Sequence, residues 1–138
     1  SILLKGGTVV SAYTRRQWDI RIDGEQIVEM GANLPVENSQ IEDVTGCYVL
    51  PGFIAAHTHL ELNNGKGSLS TADNFTTGSL AAVAKGTTTV IDMATPNKGG
   101  SLKDCLATWN QLAEGKSSCD YTYHMSMIEW KPTIAAEI

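Results

Sequence analysis

Over residues 1–48 the apolar positions come in short runs of period two, the pattern of strands with one buried face. "SILLK" and "TVVSAY" flank the turn-forming pair Gly6-Gly7. "QWDIRI" predicts a strand with Trp18, Ile20 and Ile22 on one face and polar side chains on the other. Asp23-Gly24 then marks a hairpin, with "EQIVEM" as its returning strand. "ANLPVENSQ" reads as a polar loop, "IEDVTGCYVL" as renewed extended structure, and Arg15-Arg16 as a solvated turn. Short antiparallel strands are expected throughout.

From Val49 the pattern changes. "YVLPGFIAAH" is almost continuously apolar, as a strand covered on both faces should be, and the polar loop "NNGKGS" follows. Asp73 stands near the start of a helix in which Phe75, Ser79, Ala82 and Val83 recur at helical spacing, and Gly86 suits its end. "TTTVIDM" predicts a second buried strand, and "ATPNKGG" a loop. Ser101 is the N-cap candidate of a second helix with the apolar stripe Leu102, Cys105, Leu106, Trp109, Leu112 and Ala113, stopped by Gly115. "CDYTYHMSMI" is a third strand, and Pro132 opens a third helix. Residues 49–138 therefore read as an α/β region with parallel strands joined by helical crossovers. Three such strands make an incomplete sheet, so a larger barrel or doubly wound protein is expected, with this chain as its N-terminal piece.

Composition narrows the function. The 138 residues are 42% hydrophobic and 18% charged with a formal net charge of −5, which suits a globular protein and argues against nucleic acid or an anionic membrane as partner. Three cysteines, Cys47, Cys105 and Cys119, form no CxxC pair, and no stretch approaches the ~20 apolar residues that span a bilayer. "SILLKGGTVV" does not read as a signal peptide. A reducing, cytoplasmic setting is the expectation. Neither Gly6-Gly7 nor Gly65 to Ser68 has phosphate-loop spacing.

Two of the chain's three histidines, His57 and His59, end the first buried strand. Side chains at i and i+2 share a strand face, and the C-terminal ends of parallel strands are where sites are built. Two imidazoles there can share a metal, although a protein zinc site wants three or four ligands. The competing reading is a pair of core histidines satisfied by hydrogen bonds.

"GCYVLPGFIAAHTHLEL", "TADNFTTGSLAAVAKGTTTVIDM" and "CDYTYHMSMIEW", in that order, resemble the N-terminal part of the dihydropyrimidinases and D-hydantoinases, cyclic amidohydrolases of the amidohydrolase superfamily. The resemblance implies a (β/α)8 TIM-like barrel, with residues 49–138 as its first three β/α units. Residues 1–48 would be the N-terminal part of a small β-sandwich. It implies two Zn2+ ions bridged by hydroxide and by a carboxylated lysine outside this chain, with His57 and His59 as the first two ligands. A metal-bound hydroxide would open hydantoin or dihydropyrimidine rings to N-carbamoyl amino acids. The partner is then a small cyclic ureide or imide, and the assembly a homotetramer. The catalytic groups would lie beyond residue 138, so the isolated chain is expected to be inactive. An allantoinase- or dihydroorotase-like hydrolase and a non-catalytic scaffold on the same fold are the alternatives.

The family's D-x-H-x-H has Ala55 in place of its Asp, and on strict alternation residue 55 shares the face of His57 and His59. Asp92, ending the second strand, reads as a structural hydrogen-bonding carboxylate. His124 reads as a satisfied core histidine. Leu60, Leu62, Leu69 and the loop from Met93 flank the proposed site. Leu62 and Met93 are its candidate substrate-lining residues, or else apolar anchors for long loops.

Overall fold

The structure, a computed structural model, describes residues 1–62 and 70–138; "NNGKGS" and Leu69 lie outside the described residues. It divides into two units, Ser1–Pro51 and Gly52–Ile138.

In the first unit, Ile2–Lys5 (β1) and Thr8–Val10 (β2) leave the Gly6-Gly7 turn into different sheets. Arg15–Gln17 (β3) returns antiparallel on β2, whereas Asp19–Asp23 (β4) pairs antiparallel with β1. "QWDIRI" is therefore not one strand: the chain changes sheet at Trp18. Arg15 and Arg16 lie in β3 rather than in a turn, which instead spans Ser11 to Thr14, closed by the Ser11 N–H on the Thr14 carbonyl at 2.8 Å. Aromatic neighbours hold both guanidinium groups, Arg15 at 4.9 Å from the Tyr48 ring centre and Arg16 at 5.2 Å from that of Trp18.

Gly24, at φ +58°, makes the tight turn from β4 into Gln26–Gly31 (β5), where a glycine takes left-handed backbone without a Cβ penalty. Gln40–Asp43 (β6) then pairs with β1, and Tyr48–Val49 (β7) with β2, both in parallel. The expectation of wholly antiparallel strands fails here. The turn at Val44 to Cys47 carries β6 into β7 alongside the turn that carries β1 into β2. The two turns are bonded to one another, Val44 N–H to the Lys5 carbonyl and Thr8 N–H to that of Cys47, both at 2.9 Å. The sheets run β5-β4-β1-β6 and β3-β2-β7.

The polar face of β4 is buried as well. The Arg21 guanidinium donates to Glu29, Ser39 and the Pro35 carbonyl, fastening the polar loop before β6.

The second unit is a parallel sheet, Phe53–Thr58 (β8), Thr87–Ala94 (β9) and Asp120–Met125 (β10), in the order β8-β9-β10. Phe75–Val83 (α1) connects β8 to β9, and Leu102–Ala113 (α2) connects β9 to β10. Asn74 caps α1 in a reciprocal box with Thr77, and the Ser101 side chain accepts from the Asp104 N–H at the start of α2. Pro132–Ala135 (α3) is a single turn opened by its proline.

The core is Leu60, Phe75, Ala94, Cys105, Trp109 and Ala113, with Tyr121, Tyr123 and Met125 packed on it. Cys105 is thus a buried apolar residue, as its place in the helix stripe implies, whereas Leu106 of the same stripe stays 42% exposed. Gly52 is required by contact: a Cβ there would lie 2.1 Å from Thr88 Oγ1. Among the described residues the helices cover one sheet face, and Phe53 and Ile54 of β8 are 56% and 62% exposed.

Candidate metal centre

Alternation along β9 sorts the two faces of the sheet. Val90, Asp92 and Ala94 are buried on the helix side, aligned with Tyr121, Tyr123 and Met125 of β10. Thr89, Ile91 and Met93 point the other way, aligned with Asp120, Thr122 and His124.

On β8 the alternation breaks. Ala55 is in register with Val90, but Thr58 is in register with Asp92, so three steps on β8 match two on β9. This bulge puts Ala55 and Thr58 on the helix side and turns His57 and His59 to the opposite face. The expectation that residues 55, 57 and 59 share a face is overturned. A carboxylate at position 55 would point towards the side of Val90 and Asp92, not beneath the imidazoles.

His57 and His59 do converge. Their Nε2 atoms are 3.1 Å apart, with ring centres at 5.0 Å and planes at 64°. Two nitrogens bound to one tetrahedral zinc at ~2.0–2.1 Å lie about 3.3–3.4 Å from each other. The pair therefore fits a shared ion to within a few tenths of an ångström, and imidazole nitrogen suits zinc. Both side chains are exposed, so the approach to them is open. Among the described residues no group of three or more His, Cys, Asp or Glu side chains could hold a metal, and two imidazoles alone fall short of the three or four ligands of a protein zinc site.

Behind the pair, on the helix side, sits Asp92, fully buried. Its Oδ1 accepts from Thr58 Oγ1 and from the Leu60 N–H, each at 2.8 Å, and its Oδ2 from Trp109 Nε1 at 2.9 Å. The carboxylate is thus tied to the segment carrying the histidines. Trp109 reads in sequence as one more apolar stripe residue. The usable signal was chemical: a buried indole N–H needs an acceptor, and a buried carboxylate needs donors. Burial, with Tyr121 and Asp92 nearby, pushes the Tyr123 phenol up to about 12, and its hydroxyl donates to the Trp109 carbonyl at 3.1 Å.

The remaining candidates separate. Met93 is half-buried on the face that carries the histidine pair. Leu62 is not brought to that face: it packs against the core, and its backbone pairs with Thr71, which is the placement of a loop anchor. Leu60 is a core residue. His124 is exposed on β10, which corrects its reading as a core histidine; among the described residues it stands on a sheet face that the helices do not cover.

No family model matches the chain. The D-hydantoinase of Geobacillus stearothermophilus is 40% identical to it over 136 residues, covering 99% of this chain and 28% of that protein. The dihydropyrimidinase of Dictyostelium discoideum is 36% identical over 139 residues, covering all of this chain and 27% of that one. A solved D-hydantoinase from Bacillus sp. AR9 superposes with a TM-score of 0.91 at 41% identity, covering 99% of this chain and 29% of the other. The chain spans a little over a quarter of the length of the curated relatives it matches. In sequence and in fold, it resembles the N-terminal part of the D-hydantoinases and dihydropyrimidinases.

Proposed function

We propose that the intact protein carrying this chain is a zinc-dependent hydrolase of cyclic amides, opening hydantoin or dihydropyrimidine rings to N-carbamoyl amino acids. In this reading the barrel region expected over residues 49–138 begins instead at Gly52, because Tyr48–Val49 pairs with β2, and contributes the first three β/α units of a (β/α)8 barrel, while Ser1–Pro51 belongs to a small β-sandwich. His57 and His59 are two of the metal ligands. The others, with a bridging carboxylated lysine and the catalytic acid-base group, come from residues outside this chain. The substrate is a small cyclic ureide or imide, the assembly a homotetramer, and the setting cytoplasmic. The three cysteines are unpaired, which suits that compartment.

The observation that carries the proposal is the convergence of two imidazole nitrogens to 3.1 Å at the C-terminal end of a parallel strand. It occurs in a chain that is 40% identical, along nearly its whole length, to a D-hydantoinase.

Zinc held by His57 and His59 would supply Lewis acidity to acidify water and polarise a ring carbonyl. The chain's own residues act around it. The bulge in β8 turns both rings to one face, and Thr58 faces away to bond Asp92. Met93, half-buried on the ring-bearing face, offers an apolar surface for the substituent of a ring substrate. The Leu62 N–H donates to Thr71 Oγ1 and the Thr71 N–H to the Leu62 carbonyl, which fixes Thr71 to a residue packed against the core.

The test is hydrolysis of hydantoin and dihydrouracil by the intact, zinc-loaded protein, with allantoin and dihydroorotate as comparison rings. Opening of the first two supports the proposal. If zinc binds and neither is touched, the proposed substrate class is wrong.

A further inference from the structure

We infer that Asp92 is the positioning residue for the histidine pair, acting on the metal site through the backbone rather than by contact. This rests on the metal reading above. β8 ends at Thr58, and His59 lies past the last residue paired with β9. The bulge sits immediately before it, so regular ladder bonds do not fix the segment at the point where the two rings must meet. Asp92 supplies that restraint. One oxygen, Oδ1, binds the Thr58 hydroxyl and the Leu60 N–H, gripping the chain on both sides of His59, while Oδ2 is anchored by the Trp109 indole.

The anchoring helix is itself fixed. Trp109 lies in the core with Leu60, and its carbonyl accepts the Tyr123 hydroxyl of β10. A side chain with no exposed surface and three donors on two oxygens has one available position. Its grip on Thr58 and Leu60 therefore sets where the His59 ring begins. Ligand-orienting groups behind a metal site typically change affinity 10–100-fold when removed.

The test uses the intact protein with Asp92→Ala, Thr58→Val and, as a control, Ser79→Ala. Ser79 is equally buried, in α1, and bonds the Phe75 carbonyl and the Ser118 N–H away from this network. Zinc affinity is read by chelator competition, and ligand geometry by the visible spectrum of the cobalt-substituted protein. Asp92→Ala should weaken zinc about 10–100-fold and shift the cobalt bands. Thr58→Val should do so less and in the same direction, whereas Ser79→Ala should lower the melting temperature and leave both readouts as in the parent.

Unchanged affinity and spectrum in a folded Asp92→Ala overturns the inference. If that variant does not fold, an unchanged Thr58→Val overturns it instead. A loss in Ser79→Ala equal to that in Asp92→Ala also overturns it, because the effect would then be general loosening. A parent protein that fails to bind zinc removes the metal reading itself. A parent that binds, with network variants that bind equally, removes only this inference.

Discussion

At Asp19 a buried carboxylate collects the Gly6 N–H on one oxygen, and the Leu34 N–H and Lys5 ammonium on the other, at 2.8 to 2.9 Å. Burial alone would push this carboxyl up, but the Gly6, Lys5 and Leu34 donors outweigh it and hold the group below its ordinary range. Its ionised form therefore stabilises the fold above the unfolded value near 3.9, and that contribution is lost as pH falls through the lower folded value. Asp19→Asn should cost about 2 kcal/mol at neutral pH, roughly a 30-fold faster hydrogen exchange at the Gly6 and Leu34 amides. Parent and variant should converge in acid; equal exchange at pH 7 would refute this. The sequence shows Asp19 and Arg21 only as the polar half of an alternating strand. Their burial depends on the loop at Leu34 to Ser39 folding over them, and no local pattern announces that. The convergence of His57 and His59 is legible because side chains two apart share a strand face, whereas the exposure of His124 depends on which face the helices leave uncovered.

Helix ends show what short-range signals can specify. Asn74 caps α1 in a box with Thr77, its side chain accepting from the Thr77 N–H, while α2 begins with two acceptors: Ser101 for the Asp104 N–H, and Glu137 for the Leu102 and Lys103 N–H groups. Asn74→Ala should cost about 1 kcal/mol, read as faster exchange at the Thr77 amide. Ser101→Ala should cost less, because Glu137 still serves the first turn. Burial raises the Glu137 carboxyl, but the Lys103, Ser101 and Leu102 donors together hold it below its usual value of 4.5. The start of α2 should therefore loosen as pH falls through that lowered value, and a Leu102 amide that exchanges no faster in acid than intrinsic chemistry dictates would contradict this. Helices α1 and α2, strands β9 and β10 and the Ser101 cap are readable from periodicity and capping residues, whereas "YVLPGFIAAH" reads as one strand and is two, Tyr48–Val49 on β2 and Phe53–Thr58 on β9. The sheet change at Trp18 and the bulge between Ala55 and Thr58 are not readable in that way. Each leaves the alternation of residue types intact and alters only what each residue is paired with.

For the whole molecule, the apolar run of β8 and the proposed sharing of a metal by only two imidazoles point the same way. Phe53 and Ile54 are more than half exposed, and two imidazoles converge where zinc wants at least three ligands. Both features are resolved if further elements of the intact protein cover the strand and complete the site, as the proposed barrel requires. A bound metal favours the folded state by mass action, by about 4 kcal/mol when free metal is 1,000 times the dissociation constant. Chelation of the intact protein should therefore lower its melting temperature, and added zinc should restore it. His57→Ala and His59→Ala should abolish that response. The most direct measurement is anomalous diffraction at the zinc edge from crystals of the intact protein. The account predicts a peak ~2.0–2.1 Å from Nε2 of both His57 and His59. No peak between the rings of the zinc-loaded protein, or rings turned away from one another, would contradict it.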